Sequence, residues 1–168
     1  AITVATTGLA SNPSVTGQPV VFTATVTTVA PGTGIAGGAV DLLDGAIVVA
    51  TGTLDATGSV TFTTAALAVG PHALTVRYGG DTHFVGSTSS PLAQNVARAS
   101  TAVALTSAPN PSVIGQPVTL TANAAAVAPG AGVPSGSIDL VDGVTVVGSA
   151  TLDASGTATL ATTSLGVG

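Results

Sequence analysis

Two histidines, His72 and His83, and seven aspartates are the side chains of this chain that could carry acid–base or metal chemistry. A Ser–His–Asp arrangement needs a nucleophilic hydroxyl, a histidine to take its proton and a carboxylate to orient that histidine. Asp81 precedes His83 in "YGGDTHF", and serines lie close in sequence. No G-x-S-x-G elbow and no oxyanion-hole motif accompanies them. The pattern therefore predicts no catalytic residue. His72 reads as a polar residue at a strand end and His83 as a polar residue of a loop.

Asp41, Asp44, Asp55 and Asp81 raise the question of calcium, which takes six to eight oxygen ligands. No D-x-D-x-D-G loop is present. Asp44 and Asp55 are explained by turns, where Asp accepts local backbone N–H groups. Asp81 sits in a Gly-rich loop and is the strongest calcium candidate. With no cage written around it, the expectation is no bound metal and no cofactor. Tyr78, the lone tyrosine, reads as an inner-face residue whose hydroxyl satisfies a backbone group. One Tyr and three Phe in an apolar pattern do not make the exposed aromatic platform that holds a glycan. Asn12-Pro13-Ser14 and Asn110-Pro111-Ser112 fail as N-glycosylation sites because proline takes the middle position.

The elements that hold these residues are written in a β vocabulary. Val, Ala, Thr, Gly and Ser dominate, and Val and Thr suit a pleated surface. Only 5% of residues are charged, against about 25% in ordinary globular chains. A net charge of −5 with two isolated arginines, Arg77 and Arg98, argues against a nucleic-acid partner and against an anionic membrane surface. The absence of Cys removes disulfides and thiolate zinc sites. The absence of Lys leaves trypsin only two points of attack, which suits an extracellular setting. Residues 1–40 and 99–138 carry no charge. Thr, Asn, Pro and Gly interrupt both, so neither reads as a membrane span, which needs about 20 mostly apolar residues. No basic n-region precedes an apolar core, so no signal peptide is read.

The chain repeats itself at an offset of 98 positions, which carries Asn12 to Asn110. "NPSVTGQPV" at 12–20 meets "NPSVIGQPV" at 110–118. "DLLDG" at 41–45 meets "DLVDG", "TLDATG" at 53–58 meets "TLDASG", and "LAVG" at 67–70 meets "LGVG" at 165–168. The first ten or so residues match poorly. Identities cluster in turns, while apolar residues exchange for one another: Phe22 for Leu120, Phe62 for Leu160, Val40 for Ile138. Turns that fix geometry and cores that tolerate repacking produce this pattern when one fold is copied. The period is too long for a solenoid unit and fits a sandwich domain. Two domains follow, residues 1–98 and 99–168.

Within a copy, Val20, Phe22, Ala24 and Val26 alternate with Val21, Thr23, Thr25 and Thr27, a strand with one apolar face. The loop "APGTGIAGG" leads to a strand over 39–43. Asp44-Gly45 reads as a hairpin turn, "IVVATGTL" returns, and "DATG" at 55–58 turns again into "VTFTT". "HALTVRY" sets His72, Leu74, Val76 and Tyr78 on one face, and a last strand covers 92–96. About seven short strands at spacings of about 8–12 residues predict an all-β, antiparallel β-sandwich. "AIVVATGT" and "VTVVGSAT" are uncharged and strongly β-forming. They read either as ordinary sandwich strands or as edges meant to pair with another chain.

"NPSVTGQPVVFTATV" at 12–26 and "DGAIVVATGTLDATGSVTFTTAALAVGPHALTVRYGGDTHFVGSTS" at 44–89 together resemble the bacterial immunoglobulin-like repeat of the group-three type. The landmarks are Gly17-Gln18-Pro19-Val20 at a strand start, Leu54-Asp55 to the Gly58 turn, Gly70, and Tyr78 followed by Gly80-Asp81. The nearly uncharged strands depart from it mildly. The resemblance implies an immunoglobulin-like sandwich in tandem copies, on secreted or surface-anchored bacterial proteins that act as stalks, spacers or adhesive fibres, without catalysis. Its partners would be neighbouring repeats or identical subunits. A ligand-binding role would instead place contacts on loops such as "APGTGIAGG" and "YGGDTHFVGS".

Residues 71–98 supply the last two strands of the first copy, and the second copy as given has no counterpart to them. The second copy is therefore expected not to be stable alone. Burial worth about 1.5–3 kcal/mol per large apolar side chain is missing from it. Either further residues supply those strands, or the second copy is disordered, or another subunit donates them.

Overall fold

Alternation decides which faces pair. Val20, Phe22, Ala24 and Val26 are all buried, while the residues between them are not. The computed structural model describes residues 2–8 and 12–166. Val167 and Gly168, the end of the "LGVG" match, lie outside the described residues. The chain divides into two compact units, Ala1–Arg98 and Ala99–Gly168. Among the described residues every regular element is a strand, and no helix is long and apolar enough to cross a membrane.

Unit one contains β1 (Ile2–Gly8), β2 (Ser14–Val15), β3 (Val20–Thr28), β4 (Ala39–Asp44), β5 (Ile47–Thr53), β6 (Ser59–Thr64), β7 (Gly70–Gly80), β8 (Val85–Thr88) and β9 (Leu92–Ala97). One layer is β1-β3-β6. The other is β2-β9-β7-β4-β5, with β8 joined to β7. Phe22 faces Phe62 across the first layer and Ala24 faces Val60. Val40, Leu42, Leu74, Val76, Tyr78 and Val96 close the core from the second layer. This is the expected all-β, immunoglobulin-like sandwich, with two strands not anticipated, β1 and β8, and one short parallel pairing, β2 on β9.

The strands begin and end where turn chemistry says they should. Gly45 and Ala46 form the hairpin loop between Asp44 and Ile47, which pair with each other. Between β4 and β5 the register shifts at Leu42 and Leu43, with Val49 of β5 as the extra residue. Leu42 and Leu43 are both buried, and β4 keeps an unbroken register with β7 through Asp44.

Unit two contains β10 (Thr101–Ala108), β11 (Val118–Ala126), β12 (Ser137–Asp142), β13 (Thr145–Thr151) and β14 (Thr157–Thr162). They form a β10-β11-β14 sheet and a β12-β13 pair. The offset of the repeat is kept in the pairing: Leu120 faces Leu160 as Phe22 faces Phe62. The bulge recurs between Leu140 and Val141. The core gathers Val118, Leu120 and Leu140 with Val147, Leu160 and Leu165.

Candidate functional site

The phrase written twice is a fastener. In unit one the Asn12 carboxamide takes the place of a strand residue: its Nδ2 donates to the Ala93 carbonyl at 2.9 Å, and its Oδ1 accepts from the Asn95 N–H at 3.0 Å. Ser14, 1% exposed, accepts at Oγ from Gln94 Nε2 at 3.1 Å. The Thr16 N–H donates to the Ala97 carbonyl at 2.9 Å. The segment 12–16, between β1 and β3, is thereby tied along the last strand of the unit, β9. The turn that follows is held by Gln18. Its backbone N–H donates to the Val15 carbonyl, and its Oε1 accepts from the Val15 N–H at 3.0 Å.

Unit two keeps the turn and shows what the rest needs. Gln116 bonds Val113 in both senses, as Gln18 bonds Val15. Asn110 and Ser112 are exposed, and Val113 is 74% exposed. The turn is local and closes unaided, whereas the Asn and Ser contacts require a β9 beside them.

Gly17 and Gly115 sit in this turn at φ of 77° and 74°, a left-handed conformation that side chains with a Cβ resist. Gly17→Val is expected to destabilise unit one by about 1 kcal/mol or more. Thermal melting followed by Tyr78 emission checks this, because the chain has one Tyr and no Trp. An unchanged midpoint would show that the turn does not depend on glycine.

Asp81 joins two loops at one end of the sandwich. Its Oδ1 accepts from the His83 N–H at 2.7 Å and the Phe84 N–H at 2.8 Å. Its Oδ2 accepts from the Gly37 N–H at 3.2 Å. These donors, the His83 N–H first, bring its carboxyl down to about 2. The contribution is present above the ordinary Asp value and is lost as pH falls toward about 2. Tyr78 is buried, and its hydroxyl donates to the Gly37 carbonyl at 2.9 Å. Desolvation first, and then the nearby Asp81 carboxylate, push the phenol up to about 12. Asp81, the acid that turn chemistry had left unexplained, is thus a turn and loop fastener.

The other acids are also engaged locally. Asp55 Oδ1 accepts from the Thr57 hydroxyl and from the Thr57 and Ser59 N–H groups, which lowers its pKa. Asp153 does the same with Ser155 and Thr157. Asp41 accepts from Arg77 Nη2 at 2.8 Å and from Thr51, an exposed pair of small energetic weight. Asp44 corrects the turn reading: its carboxylate bonds His72 Nδ1 at 2.7 Å rather than local N–H groups. His72 is likewise more than a polar strand end, since its side chain is 8% exposed. His83 is exposed and its ring bonds the Thr82 hydroxyl. Asp81 meets His83 at the backbone only and is not the partner of either ring.

Among the described residues no three His or Asp side chains gather as a metal site. Chelator is expected to leave the melting midpoint unchanged, and a shift of several degrees on calcium removal would overturn that. β5 is a sheet edge, with Ile47 and Val48 exposed. Val144 and Val146 are exposed at the matching place in unit two.

The family model for a bacterial Ig-like domain of group 3 matches residues 6–97 and 105–168. A solved structure of the fibronectin(III)-like modules of Clostridium thermocellum CbhA is similar at 21% identity and a TM-score of 0.37, covering 96% of this chain and 80% of that one. No curated protein matches.

Proposed function

The chain belongs to the bacterial Ig-like domain family of group 3, and from that premise we propose that it is a structural tandem repeat of a secreted or surface-anchored bacterial protein. It serves as a stalk or as the unit of an extracellular fibre, with neighbouring repeats or identical subunits as partners, and performs no catalysis. The observation that carries this reading is the use made of polar side chains in unit one. Asn12, Ser14, Gln18, Asp55 and Asp81 all bond backbone or buried groups of their own unit. They tie the segment between β1 and β3 to the last strand of the unit and fix its loops, which is what a linking module requires.

Electron microscopy of the native material tests it. Filaments or rods with a repeat near one domain length are expected. Isolated particles without such a repeat would count against it. An adhesive reading, with a glycan or host protein as ligand, rests on Ile35 in a loop that Asp81 fastens and Val85 at the start of β8, both exposed. Loss of a ligand on Ile35→Asp or Val85→Asp would favour that reading.

Strand donation is the finer part of the proposal. In unit one, β4 pairs β7, with Val40 facing Tyr78 and Asp41 facing Arg77. In unit two the corresponding side of β12 takes a strand pair of the same pattern, from a neighbouring repeat or subunit. A synthetic peptide of residues 70–98 added to the full chain is expected to protect the β12 amides from hydrogen exchange. No protection at several-fold excess would remove strand donation while leaving the stalk reading intact.

A further inference from the structure

His72 opens the inner-face row of β7, and both nitrogens of its ring end on acceptors. Nδ1 lies 2.7 Å from Asp44 Oδ2, and Nε2 lies 2.8 Å from the Ala68 carbonyl oxygen. A backbone carbonyl only accepts, and so does an ionised carboxylate. A neutral imidazole carries one N–H, so it satisfies one of these contacts and turns a lone pair against the other. Imidazolium carries two and satisfies both. With 8% of the side chain exposed, the ring rests mainly on these two acceptors, and a hydrogen bond left unmade on its buried side is costly.

The three groups belong to different parts of unit one. Asp44 ends β4 at the β4–β5 hairpin. Ala68 lies in the segment that crosses from β6 in one layer to β7 in the other. His72 stands at the start of β7. We propose that His72 is a proton-operated pin: charged, it fastens the hairpin and the crossing segment to β7, and on losing its proton it lets go of one of them. Unit one is then firmest in mildly acidic surroundings and loosens as the medium turns alkaline.

The surroundings leave Asp44 as the one charged partner. β5 and the crossing segment bring Ile47, Val48, Val49, Ala66 and Leu67 to the same hollow. β9 sets the neutral Gln94 opposite His72. Asp41 and Arg77 pair with each other, Asp55 and Asp81 are held in their own turns, and Arg98 is exposed beyond the end of β9. The Ala68 carbonyl first, and then the Asp44 carboxylate, raise the pKa of His72 against the opposing effect of burial. A folded value above the unfolded one, about 6.5, gives stability that is complete below about 6.5 and is lost as pH rises through the folded value. Unit two has Asp142 where unit one has Asp44 but contains no histidine, so it is an internal control.

Ring ¹⁵N NMR of the full chain between pH 5 and 9 tests the pin, with the urea-unfolded chain as the reference. Both ring nitrogens of His72 are expected to carry protons on the acid side of its titration, with a midpoint in the folded protein above that of the same ring in the urea-unfolded chain. Asp44→Asn is expected to move that midpoint toward the unfolded value. The melting midpoint of unit one, read from Tyr78 emission, is expected to fall between pH 6.5 and 9, and to lose most of that slope in His72→Gln. A folded His72 midpoint at or below that of the unfolded chain would overturn the proposal. So would a His72 midpoint unmoved by Asp44→Asn. The NMR arm on the unaltered protein decides the matter even if His72→Gln does not fold.

Discussion

Phe22→Ala is expected to lower the stability of unit one by about 3–5 kcal/mol, as truncation of a fully buried aromatic does. Phe22 is 0% exposed. It pairs Phe62 within its own layer and belongs to the core that Leu42, Leu74, Val76 and Tyr78 close from the other. Its removal takes away transfer free energy and leaves a cavity between two layers that hydrogen bonding holds in register. Phe22→Leu, which writes the residue of unit two into unit one, is expected to cost less, because Leu120 does the same work opposite Leu160. Urea unfolding followed by Tyr78 emission measures both. A loss below about 1 kcal/mol for Phe22→Ala would mean that the layers do not pack as described.

The second large effect lies in a turn. Gly58 has φ of 76°, and a Cβ there would stand 2.9 Å from the Val26 carbonyl oxygen. The contact cannot relax freely, because the Val26 N–H donates to the Gly58 carbonyl at 2.8 Å and holds the turn against β3. Gly156 repeats the arrangement against Ala124 in unit two, with φ of 77°. Gly58→Val combines a disfavoured conformation, about 1–3 kcal/mol, with displacement of a strand carbonyl, and a total of about 3 kcal/mol is expected. Gly58→Asn separates the two contributions, since Asn tolerates the left-handed region yet still carries the Cβ. If Asn restored full stability, the close approach to Val26 would not matter.

What was legible in the sequence was local. Alternation at residues 20–27 gave β3, Asp-Gly gave the hairpin, and "DATG" gave the turn that Asp55 in fact organises through Thr57 and Ser59. Tyr78 was placed on the inner face with a bonded hydroxyl, as it stands. What was not legible depends on which strands become neighbours. Asn12 meets Ala93 and Asn95 only because β2 lies on β9, and no pattern near Asn12 names β9. The exact recurrence of Asn, Ser and Gln in the repeated phrase was the available signal. His72 and Asp44 meet because β7 pairs β4 in a register that sets Asp44 against Leu74, two residues from His72, and no local pattern names β7 as the neighbour of β4. β1 had no counterpart in the better-matched part of the repeat, and β8 is a short strand inside what reads as a glycine-rich loop.

The central claim is that unit one is built to hold together along the chain, with the Asn12 fastening to β9 as a main tie. Pulling single molecules by their ends tests it most directly. Unit one is expected to resist and then unfold in one cooperative step, at a force that Asn12→Ala lowers. Extension without a force peak, or a peak that Asn12→Ala leaves unchanged, would contradict it.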